Sequence, residues 1–528
     1  MKQNGKWLEW LAAGTLTVVS FLFFLFLYPY HNLLKEQMTL FLHTPDHFLT
    51  YLEKPAWLSS YAGDLLTQFY ITAAGGAVVV SLAIIAVWLL FRKVFLAFNM
   101  RQATASILAV IPVTLEFLFH CGLHYPLSST LSTLLALCFF LIYIRIRNRH
   151  LFLWLFLPVF VLVYYLAGHG AILFTLLWLV FGLIHIIKYR LLLFIPAVLG
   201  MLIPMLLRPV FLLNQQKAYT YPVKAPVTLN ISFTWEKILA LDYHTQKGNW
   251  YKVIYLAQQY GMQNRVASYY TNLALSQSDL LGDWLFLFYQ PGPGALFLPV
   301  SQQSTPLTIA FSNEVFFRLG DMNMAQHSAM LGMIFSQNHR SSRLAKRLAE
   351  IHIAIGDAPA AEKYLGLLEK TLFHRKWAGE HRKLLQATDI PLREKIPSMD
   401  TIRLADDYVN ALEILLQSNP DNKMALDYLL CTHILRKDIP AFRRTYDKWY
   451  VREAETVPGV YAQALIVSLY MEGASDQMLK AYGIQGSVIN HFMEYTNAYG
   501  ESKGDPAALQ EVYGNTFWFY YHFAVLQQ

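Results

Sequence analysis

Glu116, His120 and His124 stand at steps of four in a stretch that is otherwise apolar. On a continuous helix this spacing lines all three along one face. Ionisable groups within an apolar segment are costly to present to lipid, so they face a bundle interior or a polar cavity. Two histidines at i and i+4 beside a carboxylate are also the residue types that zinc accepts. No glutamate of the metalloprotease kind lies between the histidines, however, and Pro126 ends the segment just beyond them. The three are therefore expected to line a polar cavity or to reach interfacial water, with no metal or other cofactor. Cys121, Cys138 and Cys431 show neither paired nor metal-ligand spacing. No Ser-His-Asp set or phosphate loop occurs in the second half of the chain.

The elements that must position these groups are seven apolar segments, at about 7–29, 70–91, 103–120, 127–144, 151–168, 170–187 and 191–207. Most approach the ~20 residues needed to cross ~30 Å of hydrocarbon. Lys2, Lys6, Arg92, Lys93, Arg101, Arg145, Arg147, Arg149, Lys188 and Arg190 fall on one side of these segments, and only Lys35, Lys54 and Arg208 on the other. Ten against three is a strong positive-inside bias. It predicts seven spans, a cytoplasmic N-terminus and residues 208–528 outside. Dropping the interrupted third segment would invert every later loop against that rule. The first segment lacks a small-residue cleavage site after Tyr28-Pro29-Tyr30, so it is expected to remain as an anchor.

The only long external loop, 30–69, holds three amphipathic stretches separated by Thr44-Pro45 and Lys54-Pro55. Helices of this kind lie along a membrane interface, and Tyr51, Trp57, Tyr61 and Tyr70 suit its aromatic belt. The plainer reading is a loop that covers the helix ends.

The formal charge of +7 arises wholly in the first 213 residues, which hold 13 basic and 6 acidic side chains, whereas the remainder holds 29 of each. A neutral tail has no electrostatic footprint for nucleic acid, which is excluded as a partner. The tail instead repeats. Gly248, Gly282, Gly320 and Gly356 are spaced by 34, 38 and 36 residues, and the last three precede Asp. In Arg340 to Phe373, Leu348-Ala349, Gly356, Ala361 and Leu365 take the small and large positions of a tetratricopeptide repeat (TPR), with His352 in place of its tyrosine. Further pairs are drawn from Thr401–Gln417 and Met424–Tyr450, the latter turning at Lys437-Asp438, and Gln290–Leu307 interrupts the array. Trp377, Trp449 and Trp518 are assigned to core or cap positions. The expected architecture is all-α: a polytopic membrane bundle over 1–207, an extended linker over 208–233 with a β-rich run from Val227 to Phe233, and an extracytoplasmic TPR-like helical-repeat domain over 234–528.

A seven-helix plan with a long helical first external loop resembles the shared module of polyprenol-dependent glycosyltransferases, the GT-C fold. That resemblance implies a catalytic acid in the first external loop, for which Glu36, Asp46 and Asp64 are the candidates. It departs at the second external loop, Cys121 to Ser129, which carries no carboxylate, and at the acidic pair that should follow the first helix. The likeness is one of topology, which does not by itself give function.

A second resemblance rests on Lys35-Glu36-Gln37, Gly63-Asp64-Leu65-Leu66-Thr67-Gln68-Phe69, Asn272-Leu273-Ala274-Leu275 with Leu281-Gly282-Asp283, and Lys370 through Ala378. With these the chain resembles a family of Bacteroidota membrane proteins of unassigned function, which implies an inner-membrane protein with a periplasmic tail. The leading expectation is a scaffold, embedded in the lipid bilayer, whose TPR-like repeats recruit a protein partner in envelope or glycan assembly. The alternative is a GT-C-like transferase acting on a polyprenol-linked sugar. A transporter is less well supported, since no inverted repeat or charged pathway is evident.

Overall fold

The structure, a computed structural model, describes residues 2–185, 190–223, 225–227, 229–387, 391–396, 407–450, 457–473 and 476–525. Lys188, Thr228 and Thr401 lie outside the described residues. Every regular element among those described is helical, and the chain divides into two compact units.

The first unit comprises 1–236 together with two pieces of tail sequence, 340–343 and 366–379. Its helices are α1 (Lys2–Leu22), α2 (Pro29–Gln37), α3 (Pro45–Leu52), α4 (Trp57–Thr67), α5 (Ala73–Ala97), α6 (Gln102–Leu108), α7 (Val110–Cys121), α8 (Leu127–Tyr143), α9 (Arg149–Trp154), α10 (Phe156–Ala167), α11 (Gly170–His185), α12 (Phe194–Leu207) and α13 (Gln215–Thr220). The linker 208–233 thus carries a short helix, α13, capped by Asn214.

Among the described residues two stretches are long and apolar enough to cross a membrane: α5, with 25 residues, and the α6–α7 run Gln102–Cys121, with 20. A third qualifies if Ala12–Leu27 and Pro29–Gln37, bent by 74°, form one span. The bend has a clear cause: the helix loosens into a π-helical turn at Phe23–Leu27, and Pro29 at the start of α2 cannot continue the preceding ladder. The remaining apolar segments give shorter helices, Leu127–Tyr143, Phe156–Ala167, Gly170–His185 and Leu191–Leu207.

The three first-loop stretches form α2, α3 and α4. Proline and capping set their boundaries: Thr44 Oγ1 accepts from the His47 amide, and Pro45 occupies the first helical position. Gly63 lets α4 approach α8 closely, since a Cβ there would lie 2.6 Å from Ser128. Trp178, Phe156, Phe174 and Tyr164 centre one apolar core of this unit, and Trp88, Phe24 and Ile84 another.

The second unit comprises 237–339, 344–365 and 380–528. Its helices are α14 (Phe233–Gln246, entering from the first unit), α15 (Trp250–Tyr260), α16 (Arg265–Gln277), α17 (Leu281–Trp284), α18 (Pro306–Leu319), α19 (Met322–Phe335), α20 (Ser342–Ile355), α21 (Ala358–Glu369), α22 (Arg375–Arg382), α23 (Tyr408–Ser418), α24 (Lys423–Leu435), α25 (Ile439–Trp449), α26 (Gly459–Met471), α27 (Asp476–Ala481), α28 (Gly486–Glu501), α29 (Pro506–Tyr513) and α30 (Phe517–Phe523). Parts of α20, α21 and α22 belong to the first unit.

The Gly-Asp pairs have a common mechanism at two sites. Gly320 and Gly356 adopt left-handed φ of 87° and 80°, which ends one helix without a Cβ clash. The following Asp321 and Asp357 then cap α19 and α21 by accepting from the Met324 and Ala360 amides. Gly282 departs from this expectation. It lies inside α17, and a Cβ there would come within 3.0 Å of Pro458 and Tyr461, so close packing explains it. The turn falls three residues earlier, where Asp279 takes a φ of 59°. Leu348, Ala349, Ala361 and Leu365 are all fully buried, as the repeat pattern requires. Trp518 is buried, while Trp377 and Trp449 are half-buried.

Candidate functional site

The first-loop carboxylates have three different surroundings. Asp46 is exposed in the first turn of α3, where a negative charge suits the positive end of the helix. Asp64 is half-buried on α4 and accepts from the Tyr51 hydroxyl at 2.8 Å. Glu36, near the end of α2, is buried with 6% of its surface exposed, and its Oε1 meets His374 Nε2 at 2.7 Å.

His374 is delivered by the tail segment 366–379 within the first unit. Its amide donates to Thr371 Oγ1, and that hydroxyl donates to the Leu368 carbonyl, so a hydroxyl-braced turn presents the ring. The same segment is tied to the loop: the His43 amide donates to the Lys370 carbonyl at 2.8 Å, and Phe373 packs edge-on against Phe69. Gln68 pairs with the His43 ring at 3.1 Å. Glu36, Gln68, Thr371, Phe373 and His374 thereby line a single void of about 10 Å³, room for about one water molecule. Three separate sequence segments that carry the family resemblance, around Glu36, Gln68 and His374, converge on it.

A second polar chain runs beside it. Arg340, from the other tail piece, donates to His47 Nδ1 at 2.6 Å. The His47 ring lies 3.4 Å from the Tyr51 hydroxyl, which donates to Asp64. Burial, helped by the nearby guanidinium, pushes the His47 ring down to about 4. A neutral ring is also what the geometry demands, because Nδ1 must offer its lone pair to Arg340. Burial and the Asp64 carboxylate push the Tyr51 phenol up.

Glu116 and His120 are both buried, and Thr130 joins them: its Oγ1 donates to Glu116 Oε2 at 2.9 Å and lies 2.9 Å from His120 Nε2. Since the hydroxyl proton goes to the carboxylate, His120 Nε2 must carry the proton it donates. Tyr125 donates to the same carboxylate oxygen, and Lys35 Nζ caps the His120 carbonyl at 2.9 Å. His124 does not join this set. The helix ends at Cys121 with Gly122 extended, so the expected step of four carries His124 off the helix and leaves it exposed. Among the described residues no group of three or more His, Cys, Asp or Glu is placed to hold a metal.

His374, Arg340 and Glu236 are polar partners that spacing along the chain does not reveal. Glu236 accepts from the Tyr30 and His31 amides at the start of α2 and pairs with the His31 ring, anchoring the helix that carries Glu36. Its signal in the sequence is slight: an acidic residue near the start of a tail helix.

A family model described as "Family of unknown function (DUF6057)" matches residues 5–524, and the chain belongs to that family. No curated protein and no solved structure matches it.

Proposed function

We propose that this member of the family is a multi-pass inner-membrane scaffold, with a cytoplasmic N-terminus, seven crossings and a periplasmic TPR-like array that recruits a protein partner in envelope or glycan assembly. The positive-inside pattern supports the crossings. So do the outward apolar side chains of the first unit, among them Ile107, Trp154, Leu191 and Leu206, each at least 70% exposed. The shorter apolar helices would cross by local thinning of the bilayer and by their flanking turns.

One observation carries the non-catalytic reading. Glu36, the best-placed acid for a transferase, is enclosed with His374 around a void too small for a sugar phosphate, while Asp64 is engaged by Tyr51. A lipid-linked sugar transferase needs an acid that its donor phosphate or acceptor hydroxyl can reach; of the three candidates only Asp46, in the first turn of α3, is exposed. The array, by contrast, presents Met330, Ile334 and Phe335 along α19 at 41%, 53% and 54% exposure, apolar contacts of the kind that anchor protein interfaces.

The test is complementation of a deletion strain with proteins of verified abundance. Glu36→Gln, Asp46→Asn and Asp64→Asn should each restore the phenotype, whereas Ile334→Glu with Phe335→Glu should not. Loss of function in a carboxylate variant of normal abundance and stability, with the α19 variant active, would favour the transferase.

A further inference from the structure

The second unit contains a cleft of about 680 Å³, bounded by the end of α15, the start of α16, the segment after α17, and the α29–α30 turn with α30. This is the size of a small-molecule site, typically about 300–1,000 Å³. Among the described residues its lining contains no Asp, Glu, Lys, Arg or His. It does contain aromatic rings, with Trp284 and Tyr289 39% and 40% exposed and Phe519 half-buried. Beside them are the exposed amides of Gln258, Gln263 and Asn515, none of which forms a side-chain hydrogen bond among the described residues.

We propose that this cleft binds a short neutral oligosaccharide. A pyranose ring offers an apolar C–H face and an edge of hydroxyls that both donate and accept. Aromatic faces match the first. Side-chain amides match the second, since each carries donors and an acceptor. An anionic sugar, nucleotide or phosphate would bring a charge into a lining that holds no counter-charge, which is unfavourable. An extended peptide finds no sheet edge to pair with among the described residues, and its charged termini would meet no counter-charge in this lining.

The walls are held in place before any ligand arrives. Gln290 and Asn272 exchange reciprocal amide bonds at 3.0 Å, and Ser268 Oγ donates to the Tyr289 carbonyl at 2.6 Å. Tyr520 donates to the Leu435 carbonyl at 2.9 Å while its ring packs 5.0 Å from Phe286. A prearranged site avoids the ordering cost that weakens flexible ones. None of these groups lies on α19, so this inference and the partner-recruiting role stand or fall separately.

The experiment is calorimetric titration of the full chain in a detergent without a sugar headgroup. The probes are maltotriose, cellotriose, mannotriose and chitotriose, with trigalacturonic acid and hexa-alanine as comparators. At least one neutral trisaccharide should bind, and Trp284→Ala should weaken it by about tenfold, the loss expected for one aromatic contact. Asn515→Ala, at an exposed position that should not disturb folding, should weaken it as well. The α19 double variant should leave binding unchanged. Failure of all four neutral sugars to bind would overturn the proposal, as would full affinity in both cleft variants or preferential binding of hexa-alanine or trigalacturonic acid.

Discussion

Glu36 and His374 are 338 positions apart in the chain and 2.7 Å apart in the fold, each less than a tenth exposed. Removing the imidazole should leave a buried carboxyl without its partner, at a cost of about 1–3 kcal/mol. His374→Ala should therefore lower the thermal midpoint of the solubilised protein more than Glu36→Gln, whose amide can still bond the ring. A double-mutant cycle should show coupling. If His374→Ala unfolds at the parental temperature, the pair does not stabilise the fold.

His47 gives the first unit an acid-sensitive element. Its folded value of about 4 lies below the ordinary 6.5, so the unfolded chain binds the extra proton between these values. The stability it contributes is full above about pH 6.5 and is lost towards pH 4, amounting to about 3 kcal/mol. Denaturation followed across this range should show a shallower slope for His47→Gln. An unchanged slope would place the acid sensitivity elsewhere.

Asp427 gives the second unit the opposite slope. Burial raises its carboxyl to about 6 from the ordinary 3.8, although the Tyr461 hydroxyl donates to it at 2.7 Å. The folded chain now binds the extra proton, so stability falls as pH rises from about 4 to 6, by about 2–3 kcal/mol. Asp427→Asn keeps an acceptor for Tyr461 and carries no charge. It should be at least as stable as the parent at pH 7 and lose this pH dependence. A variant less stable than the parent at pH 7 would count against a buried-charge penalty.

Ala361 is fully buried on α21. Leucine there should overpack the hairpin formed with α20 and cost about 1–3 kcal/mol. The mainly helical circular dichroism spectrum should be retained, and the loss should be read as a lower denaturant midpoint.

The proposed orientation is tested with fusions. A reporter active only outside the cytoplasm should work after Gln528 and be silent after Asn148. Reversed signals would end the seven-crossing reading.

The local elements are legible because their signals are local. Thr44-Pro45 and Lys54-Pro55 mark the starts of α3 and α4 as caps and breakers do, and the Gly-Asp pairs at 320 and 356 mark helix turns. The buried small and large positions of α20 and α21 follow from period alone. Gly282 misleads because a glycine that permits close packing looks the same in sequence as one that turns the chain. His124 misleads because helical spacing says nothing about where the helix stops, and Gly122 stops it first. Glu36 can be nominated from the likeness to the GT-C module, whereas its partner lies in the Lys370–Ala378 stretch of the second resemblance, which assigns it no role. Nothing in the spacing of residues distinguishes His374 from the other histidines of the tail.

The first unit is assembled from three stretches of sequence, the last of them residues 366–379. This has a consequence for biosynthesis. The loop around Glu36 emerges early, yet the ring that closes over it is synthesised hundreds of residues later. Until then a buried-type carboxyl and the Phe69 face stay open, and the contact forms only after a very long chain closure. If the tail is exported as proposed, this part of the fold is completed after translocation, during an interval when a chaperone outside the cytoplasm would have something to hold. It also means that cleavage in the 208–233 linker would divide a folded unit rather than release two.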